Sequence, residues 1–357
     1  MSTSRTVRDL AQLEPGQVCL IKPSALGDVV HALPVLSALR GRWPDARFSW
    51  VINRGLIGLV EGHPDLDEVI PFDRSRAGVG PRGLGVSSRF LIGLRRRRFD
   101  LAIDLQGLFR SGLMAFATGA PVRVGRADAR EGAGWTYTHR IGSRAEHAVD
   151  RLLDVASAFG ADVARPRFSL PIREEDRRWA REAVGDLPRP LMVINPGARW
   201  VTKRWPPRHF AEVARRAITT AGAGVVVVGA PEDRPLAEEI AGRLGAVGLP
   251  VRDLTGKTTL SGLAAVASES DLVLSNDTGP LHLAVASGAR VIAVFTCTDP
   301  AKTGPYGPGS TVIRAGVWCA GSCIRTCDRM ECMVELSPDR VWPAVAEALK
   351  GTPRRVA

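Results

Sequence analysis

The sequence predicts an α/β protein made of two doubly wound parallel sheets, and three features carry that prediction. Short apolar segments of strand type alternate with helix-type segments along most of the chain. The alternation forms two series, separated by a proline-rich stretch. In each series, glycines and polar residues follow the strands, at the edge where open parallel sheets bind ligands. We therefore expect two such domains facing a central cleft.

The first series begins with a buried-type strand at 18–22, a turn at 23–28 and a helix from Val29. The stretch 74–88 is rich in Gly, Arg and Ser, so it is predicted to be a mobile basic loop. The stretch 126–140 is predicted to be irregular. Further strands are predicted at 47–52, 68–72, 101–105 and 121–125, and helices at 56–61, 90–98 and 147–159.

Four prolines between 166 and 190 bracket a charged helix at 174–184, which predicts a linker at 171–190. The second series starts with the strand 191–195 and ends with a helix from Pro338. The predicted organisation is therefore a first domain, a linker, a second domain and a closing helix with tail, at 1–170, 171–190, 191–337 and 338–357.

The amino-acid composition limits the classes of partner that the protein is expected to bind. The 357 residues carry a formal charge of +11 and only five lysines, so arginine supplies most of the positive charge. That balance favours phosphates, an anionic membrane surface or nucleic acid. An aromatic content of 6% and the absence of a nucleic-acid motif weigh against the last. A basic surface that is merely solvated remains an alternative.

The N-terminal segment 1–5 lacks the apolar core of a signal peptide, and no apolar run approaches the length of a membrane span. We expect a cytoplasmic protein.

The segment 276–282 (NDTGPLH) is the strongest candidate for a ligand site. It lies between a short apolar strand and a small-residue helix, a geometry that aims free backbone N–H groups at an anion. Asp277 or Thr278 can cap the helix, and Gly279 permits close approach to the backbone. An ordinary capped turn is the alternative, and His282, one turn into the helix, favours a ligand site.

The sequence resembles the bacterial lipopolysaccharide heptosyltransferases, glycosyltransferase family 9. The segments KPSALGDVVH (22–31), KRWP (203–206), NDTGPLH (276–282) and YGP (306–308) recur there in this order. The resemblance runs from about Val18 to Val341. It implies a GT-B arrangement of two Rossmann-like domains, the first binding the acceptor and the second the nucleotide sugar. It also implies inverting transfer from ADP-L-glycero-D-manno-heptose without a divalent metal, and no cofactor.

Site residues follow from the same resemblance. Asp28, next to Gly27, matches the proposed base that deprotonates the acceptor, and Lys203 matches the lysine that stabilises the departing diphosphate. Donor contacts are implied for Gly27, Lys203, Glu232, Asp277, Thr278, Gly279 and His282, with Asp233 as an alternative to Glu232 on the ribose. Arg130 resembles an acceptor-side arginine of the enzyme that adds the first heptose. Arg126 is also expected on the acceptor side, because guanidinium pairs with carboxylate and phosphate groups.

Four of the six cysteines form a cluster, Cys319, Cys323, Cys327 and Cys332. A structural metal site, redox-sensitive thiols and simple packing are all open interpretations, because the spacing lacks the paired C-x2-C elements of common zinc sites. The cluster is more similar to enzymes that act on later core positions than to the first-heptose enzyme.

The function that the sequence favours is transfer of a heptose to an anionic, Kdo-lipid A type acceptor, by a protein in peripheral contact with the inner membrane. Two alternatives remain. One is a same-family transferase that uses another nucleotide sugar for a capsule or glycan. The other is a non-catalytic protein that binds a nucleotide sugar or polyanion. Neither half contains G-x-G-x-x-G, which disfavours an oxidoreductase.

Overall fold

The structure is a computed structural model that describes residues 10–73 and 81–350, without the side chains of 81–87. The chain divides into two compact units, Met1–Pro171 and Ile172–Ala357. Each unit contains a six-stranded sheet in which all the paired strands are parallel. The prediction of two doubly wound parallel sheets is therefore confirmed.

The first sheet has the strand order β3-β2-β1-β4-β5-β6. Its strands are β1 Gln17–Ile21, β2 Arg47–Asn53, β3 Glu68–Phe72, β4 Leu101–Asp104, β5 Val122–Arg126 and β6 His139–Ile141. The helices of this unit are α1 Leu26–Arg42, α2 Pro81–Arg96, α3 Phe109–Thr118 and α4 Ala148–Ser157, with short 3-10 turns at Arg54–Leu59 and Ala133–Thr136. The order reverses between β1 and β4, and such a switch point is where doubly wound sheets bind ligands.

The second sheet repeats this topology, with the order β12-β11-β10-β7-β8-β9. Its strands are β7 Leu191–Asn195, β8 Gly224–Val227, β9 Arg252–Asp253, β10 Leu272–Asn276, β11 Val291–Phe295 and β12 Ser310–Arg314. The helices are α5 Glu174–Val184, α6 Pro207–Ala221, α7 Arg234–Gly245, α8 Leu260–Glu269, α9 Gly279–Ala286, α10 Pro300–Thr303, α11 Glu331–Glu335 and α12 Pro338–Lys350, with 3-10 turns at Val201–Lys203 and Pro231–Asp233.

Apolar side chains pack both faces of the second sheet. One cluster contains the fully buried Trp205 and Phe210. The other contains Ala180 and Val184 of α5, so the stretch predicted as a linker contributes to the core of the second unit. In the first unit, Val51, Leu94 and Met114 belong to a further cluster.

The predicted basic loop at 74–88 is wrong over the part that the structure describes. Residues 74–80 lie outside the described residues, but α2 begins at Pro81, a residue that suits the first helical turn. Leu94 of α2 is fully buried, and Phe90 and Leu91 pack against the same cluster. Burial of this apolar stripe stabilises the helix despite its glycines, because packing outweighs intrinsic propensity.

Two edge strands escaped prediction. The stretch predicted to be irregular contains β6, which pairs with β5, and β12 pairs with β11 in the second sheet. Both are too short or too polar for an alternating apolar pattern to reveal them. No helix within the described residues combines the length and apolar character needed to cross a membrane.

Candidate functional site

Asp28 lies in the first turn of α1, a few residues after β1. The helix begins at Leu26, three residues earlier than the sequence predicts. The Asp28 carboxylate accepts a hydrogen bond from the backbone N–H of Ala25 at 3.1 Å, which fixes its position at the helix start. The residue nevertheless remains exposed to solvent. This arrangement leaves a carboxylate that is positioned and still accessible to a ligand.

Lys22 directly follows β1 and is only 4% exposed. Its Nζ donates a hydrogen bond to the carbonyl oxygen of Leu105 at 3.2 Å. Burial lowers the pKa of Lys22, and Arg126 acts in the same direction, whereas the Asp28 and Asp104 carboxylates act to raise it. These four charged groups therefore influence one another at the switch point of the first sheet.

Asp104, the last residue of β4, is fully buried. Its carboxylate accepts hydrogen bonds from the Tyr137 hydroxyl at 2.6 Å and from the backbone N–H groups of Gln106 and Gly107 at 2.8 and 3.1 Å. Burial raises the pKa of Asp104, and these hydrogen bonds lower it. Gly125 makes room for this tyrosine, because a Cβ there would lie 2.2 Å from the ring.

A polar cavity of about 240 Å³ opens beside the Asp28 turn. The backbone N–H of Ser24 donates to the side-chain oxygen of Gln106 at 3.3 Å, which joins the turn after β1 to the turn after β4. The lining residues come from several strand ends and from α3: Pro23, Ser24, Asn53, Phe72, Gln106, Leu108, Arg110, Ser111 and Glu131. The cavity therefore offers amide, hydroxyl, guanidinium and carboxylate groups to a polar ligand.

The two arginines predicted for the acceptor side differ in their surroundings. Arg126 donates two hydrogen bonds to the Asp128 carboxylate, at 2.8 and 2.6 Å, and Arg151 contacts the same carboxylate. Arg126 lowers the pKa of Asp128. Arg130 is exposed, and its backbone N–H donates to the carbonyl of Gly107 at 2.8 Å. Of the two, Arg130 is the more accessible cation.

The second unit brings Lys203 and Asp277 together. Lys203 Nζ lies 2.5 Å from Asp277 Oδ2, and the Thr298 hydroxyl donates to the same oxygen at 2.5 Å. Asp277 is 4% exposed. Lys203 Nζ also lies 4.7 Å from the ring centroid of Trp200, and the guanidinium carbon of Arg325 lies 4.8 Å from it. Lys203 thus contacts a carboxylate and an indole while keeping part of its side chain exposed.

Buried hydrogen bonds hold the chain around Lys203 in place. The backbone N–H of Trp205 donates to the side-chain oxygen of Asn276 at 3.1 Å, and the Trp205 indole N–H donates to the carbonyl of Leu336 at 2.6 Å. Asn276 also donates to the carbonyl of Pro196 at 2.7 Å. The Thr296 hydroxyl donates to the Thr202 carbonyl at 2.6 Å. These hydrogen bonds therefore fix the segment that carries Lys203 to the ends of β7, β10 and β11.

The turn after β10 has the predicted form. Thr278 is the residue that caps α9, with extended backbone angles and no side-chain capping bond, and Gly279 and Pro280 open the helix. Thr278 is half-buried, and its hydroxyl makes no capping hydrogen bond to the first N–H groups of the helix. His282 is 7% exposed within α9. This helix start lies directly beside the Lys203–Asp277 pair.

Glu232 and Asp233 occupy the 3-10 turn after β8 and differ in exposure. Glu232 is exposed. The Asp233 carboxylate accepts the backbone N–H of Ala230 at 3.0 Å, and a Cβ at Gly197 would lie 2.3 Å from it. Asp233 is thus committed to the turn, which leaves Glu232 as the accessible carboxylate.

The four clustered cysteines are free thiols, and they range from the buried Cys332 to the exposed Cys323. Burial raises the pKa of Cys332 to about 11, and Cys319 and Cys327 add to that rise. Over residues 10–73 and 81–350, no group of three or more His, Cys, Asp or Glu side chains is arranged to hold a metal ion.

Several residues at these sites were missed by sequence reasoning. Arg110 and Gln106 follow β4 and Thr298 follows β11, so the strand-end rule that found Asp277 could have found them too. Arg325 lies in the cysteine-rich segment, where no pattern predicts its contact with Trp200.

Two doubly wound sheets, one with an exposed carboxylate and the other with a lysine beside a helix start, are typical of α/β proteins that bind phosphate-bearing ligands at the strand ends. A family model, glycosyltransferase family 9 (heptosyltransferase), matches residues 88–333. The chain belongs to this family of lipopolysaccharide heptosyltransferases and is therefore a glycosyltransferase.

Individual relatives of the chain are also heptosyltransferases. Lipopolysaccharide heptosyltransferase 1 of Pseudomonas aeruginosa is 31% identical over 320 residues, 87% of each chain. The lipopolysaccharide core heptosyltransferase OpsX of Haemophilus influenzae is 29% identical over 296 residues, 82% of each chain. Among solved structures, the E. coli heptosyltransferase WaaC with ADP superposes with a TM-score of 0.75 at 25% identity, covering 93% of this chain and 99% of that one.

Proposed function

We propose that this protein transfers a heptose from ADP-L-glycero-D-manno-heptose to the inner core of lipopolysaccharide, with inversion at the anomeric carbon and without a divalent metal. The observation that carries the proposal is that the two sheets present different functional groups. The first holds an exposed carboxylate, Asp28, beside a polar cavity, and the second holds Lys203 beside the start of α9.

The donor diphosphate is assigned to the second unit. The first N–H groups of α9, preceded by Thr278 and Gly279, suit phosphate oxygens, and Lys203 Nζ adds a positive charge. His282 is assigned to donor oxygens. Exposed Glu232 is assigned to the ribose. A structure of the E. coli heptosyltransferase WaaC with ADP, and another with an ADP-heptose analogue, support this choice of donor.

Asp277 takes a positioning role in this proposal. Its Oδ2 is already occupied by Lys203 and Thr298, and the side chain is buried. A carboxylate in that position holds the ammonium group in place and does not need to touch the sugar. Lys203 retains hydrogen-bond donors for the diphosphate, because an ammonium group has three.

The acceptor is assigned to the first unit. Arg110 in the polar cavity and exposed Arg130 suit carboxylate and phosphate groups of a Kdo-lipid A type acceptor, since guanidinium binds both in a bidentate manner. Gly27, one residue before Asp28 in the first turn of α1, is assigned to the donor. Arg126 supports this surface through its pair with Asp128.

The chemical step is a single displacement. The acceptor hydroxyl oxygen forms a bond to the anomeric carbon while Asp28 takes its proton. The bond from that carbon to the diphosphate oxygen breaks, and the electron pair leaves with ADP. Lys203 and the helix N–H groups stabilise the charge that develops on the leaving group, which is the role a divalent cation fills in other transferases. One displacement inverts the configuration.

Mass spectrometry tests the proposal. The purified protein is incubated with ADP-heptose and with core acceptors truncated at successive sugars. We expect the mass of one heptose on a single acceptor of the series, an inverted anomeric configuration by NMR, and an undiminished rate in EDTA.

A donor panel separates the alternatives. Transfer from a uridine or guanosine diphosphate sugar in preference to ADP-heptose would replace the proposed donor. Tight ADP binding in calorimetry with no transfer to any acceptor would instead indicate a non-catalytic binding protein.

A further inference from the structure

Helix α3 carries apolar side chains on both of its sides. Met114 and Ala115 face the buried core of the first unit. On the other side Phe109, Leu113 and Phe116 are 55%, 38% and 59% exposed. A helix on the surface of a globular protein ordinarily presents polar residues there, and a helix that is apolar all round indicates a second apolar neighbour.

The three exposed residues form one continuous stripe, since they are spaced at i, i+4 and i+7. An open groove of about 280 Å³ runs beside it, lined by Phe72, Phe90, Leu91, Phe109, Arg110, Leu113 and Met114. We call the stripe and this groove the apolar face of α3. On the neighbouring helix α2, Ile92 adds a further apolar side chain that is 52% exposed.

Arginines flank the apolar face of α3. The guanidinium carbon of Arg110 lies 5.9 Å from the Phe72 ring centroid, and that of Arg123 lies 5.6 Å from the Phe116 ring centroid. Arg89 and Arg96 are exposed on α2, three residues before and four after Ile92, so they share its stripe. The surface thus combines aromatic and aliphatic side chains with a rim of positive charge.

Two carboxylates of the neighbouring elements lie close to helix ends. Glu131 accepts a hydrogen bond from the backbone N–H of Phe109 at 3.3 Å, at the start of α3. Glu68 pairs with Arg97 at 2.8 Å, beyond the end of α2. Both acids therefore lie at helix ends, and the middle of the face stays apolar and basic.

We propose that the apolar face of α3 docks onto an anionic lipid bilayer. This inference rests on the proposed function, because a glycolipid acceptor is presented at such a surface. Phenylalanine and leucine enter the boundary between headgroups and acyl chains, while arginines contact lipid phosphates. The polar cavity shares Phe72 and Arg110 with the groove, so docking brings it to the level of the headgroups.

Vesicle sedimentation without donor or acceptor tests the docking surface. We expect the wild-type protein to bind vesicles of phosphatidylcholine with one-third phosphatidylglycerol more tightly than vesicles of phosphatidylcholine alone. The double variant Phe109→Ser/Phe116→Ser should bind the anionic vesicles at least tenfold more weakly, roughly the loss expected when two aromatic anchors are removed. Trp318→Ser is the matched control, because Trp318 is 76% exposed in the second unit.

A second variant keeps the test independent of any folding defect. Arg89→Gln/Arg96→Gln changes only exposed polar positions, and it should weaken binding to anionic vesicles by roughly tenfold without changing binding to neutral ones. Thermal unfolding confirms that each variant is folded. The proposal is overturned if the wild-type protein does not bind anionic vesicles. It is also overturned if the serine variant binds them as tightly as the wild type does.

Two outcomes are kept apart by this design. Vesicle binding together with failure of heptose transfer contradicts the proposed function and leaves the docking surface intact. If analytical ultracentrifugation finds a dimer that the serine variant dissociates, the face belongs to a second copy of the chain and the membrane assignment is wrong.

Discussion

In both sheets a lysine follows the first strand, and an acid lies at or just after the end of the fourth strand. The hydrogen-bond partners of the lysine and the acid differ between the two sheets. In the first unit Lys22 donates to a backbone carbonyl and Asp104 accepts from Tyr137. In the second unit Lys203 and Asp277 contact each other directly at 2.5 Å. The lysine and the acid are therefore two separately satisfied groups in the first unit and an ion pair in the second.

That difference decides which charge faces a ligand. Lys22 and Asp104 are both buried, whereas Asp28 at the start of α1 is exposed. Of the ion pair in the second unit, Asp277 is buried while the Lys203 side chain is 17% exposed, so the cation is its more accessible member. In the proposed mechanism, the same topology thus supplies an acid for proton transfer in one unit and a cation for the leaving group in the other.

The largest effect is expected for Asp28→Asn. The amide keeps an oxygen that can accept the Ala25 N–H, so α1 should begin normally, but it cannot take a proton. We expect the transfer rate to fall by about 10²- to 10⁴-fold, the usual contribution of a general base. ADP binding in calorimetry should be unchanged, and a near wild-type rate would remove Asp28 as the base.

The next effect is expected for Lys203→Ala, which removes the cation assigned to the donor diphosphate. We predict an affinity for ADP alone that is about tenfold to a hundredfold lower, the usual weight of a charge-assisted hydrogen bond. Calorimetry with ADP measures it. Lys257→Ala is the control, because Lys257 is exposed in the same unit and donates to the carbonyl of Asp253. Equal affinities for both variants would show that Lys203 does not bind the diphosphate.

Tyr137→Phe tests Asp104, the acid of the first unit that accepts a hydrogen bond from Tyr137. It removes the 2.6 Å hydrogen bond to buried Asp104, and we expect a loss of about 1–3 kcal/mol in the free energy of unfolding at pH 7. That hydrogen bond lowers the pKa of Asp104 against the raising effect of burial, so the variant has a still higher Asp104 pKa.

The pH dependence then has a defined sign. An acid whose pKa is higher in the folded state binds protons more tightly when folded, so its cost appears as pH rises through that pKa. The stability difference between Tyr137→Phe and wild type should therefore shrink as pH falls from 7 through the raised folded-state pKa of Asp104, which lies above the ordinary pKa of an aspartate. Denaturant unfolding at pH 7 and pH 4 checks this, and a difference that grows in acid would contradict the assignment.

The smallest effect is expected for Thr298→Val, which removes the second donor to Asp277 without removing Lys203. Asp277 should then hold the ammonium group less firmly, and ADP affinity should fall about twofold to fivefold, the equivalent of roughly 0.5–1 kcal/mol. Thr311→Val, at an exposed position of β12, is the control. An affinity unchanged by Thr298→Val would mean that Asp277 needs only its lysine partner.

The fold, and the position of the candidate site residues at the ends of strands, could be predicted because they depend on local order along the chain. Apolar runs fix the inner strands, and polar residues after them fall at one sheet edge, as with Asp28 and Asp277. The start of α2 and the edge strands β6 and β12 could not, because tertiary packing and pairing stabilise them more than their own composition does.

The pairing within each site also lay beyond the sequence. The spacing of Lys203, Asp277 and Thr298 along the chain does not indicate that Lys203 and Thr298 both donate to one carboxylate oxygen of Asp277. The same holds for Tyr137, which lies 33 positions from its partner Asp104. Such contacts depend on how loops close over a sheet edge, and side-chain geometry alone decides them.

The indole of Trp200, flanked by Lys203 and Arg325, gives the donor region a built-in optical reporter. The electric field of two nearby cations shifts the emission of an indole. An anion that draws either cation away from the ring will alter that emission, so Trp200 fluorescence should follow nucleotide occupancy without any attached dye. The chain contains eight tryptophans, and a Trp200→Phe variant identifies the part of the signal that belongs to this residue.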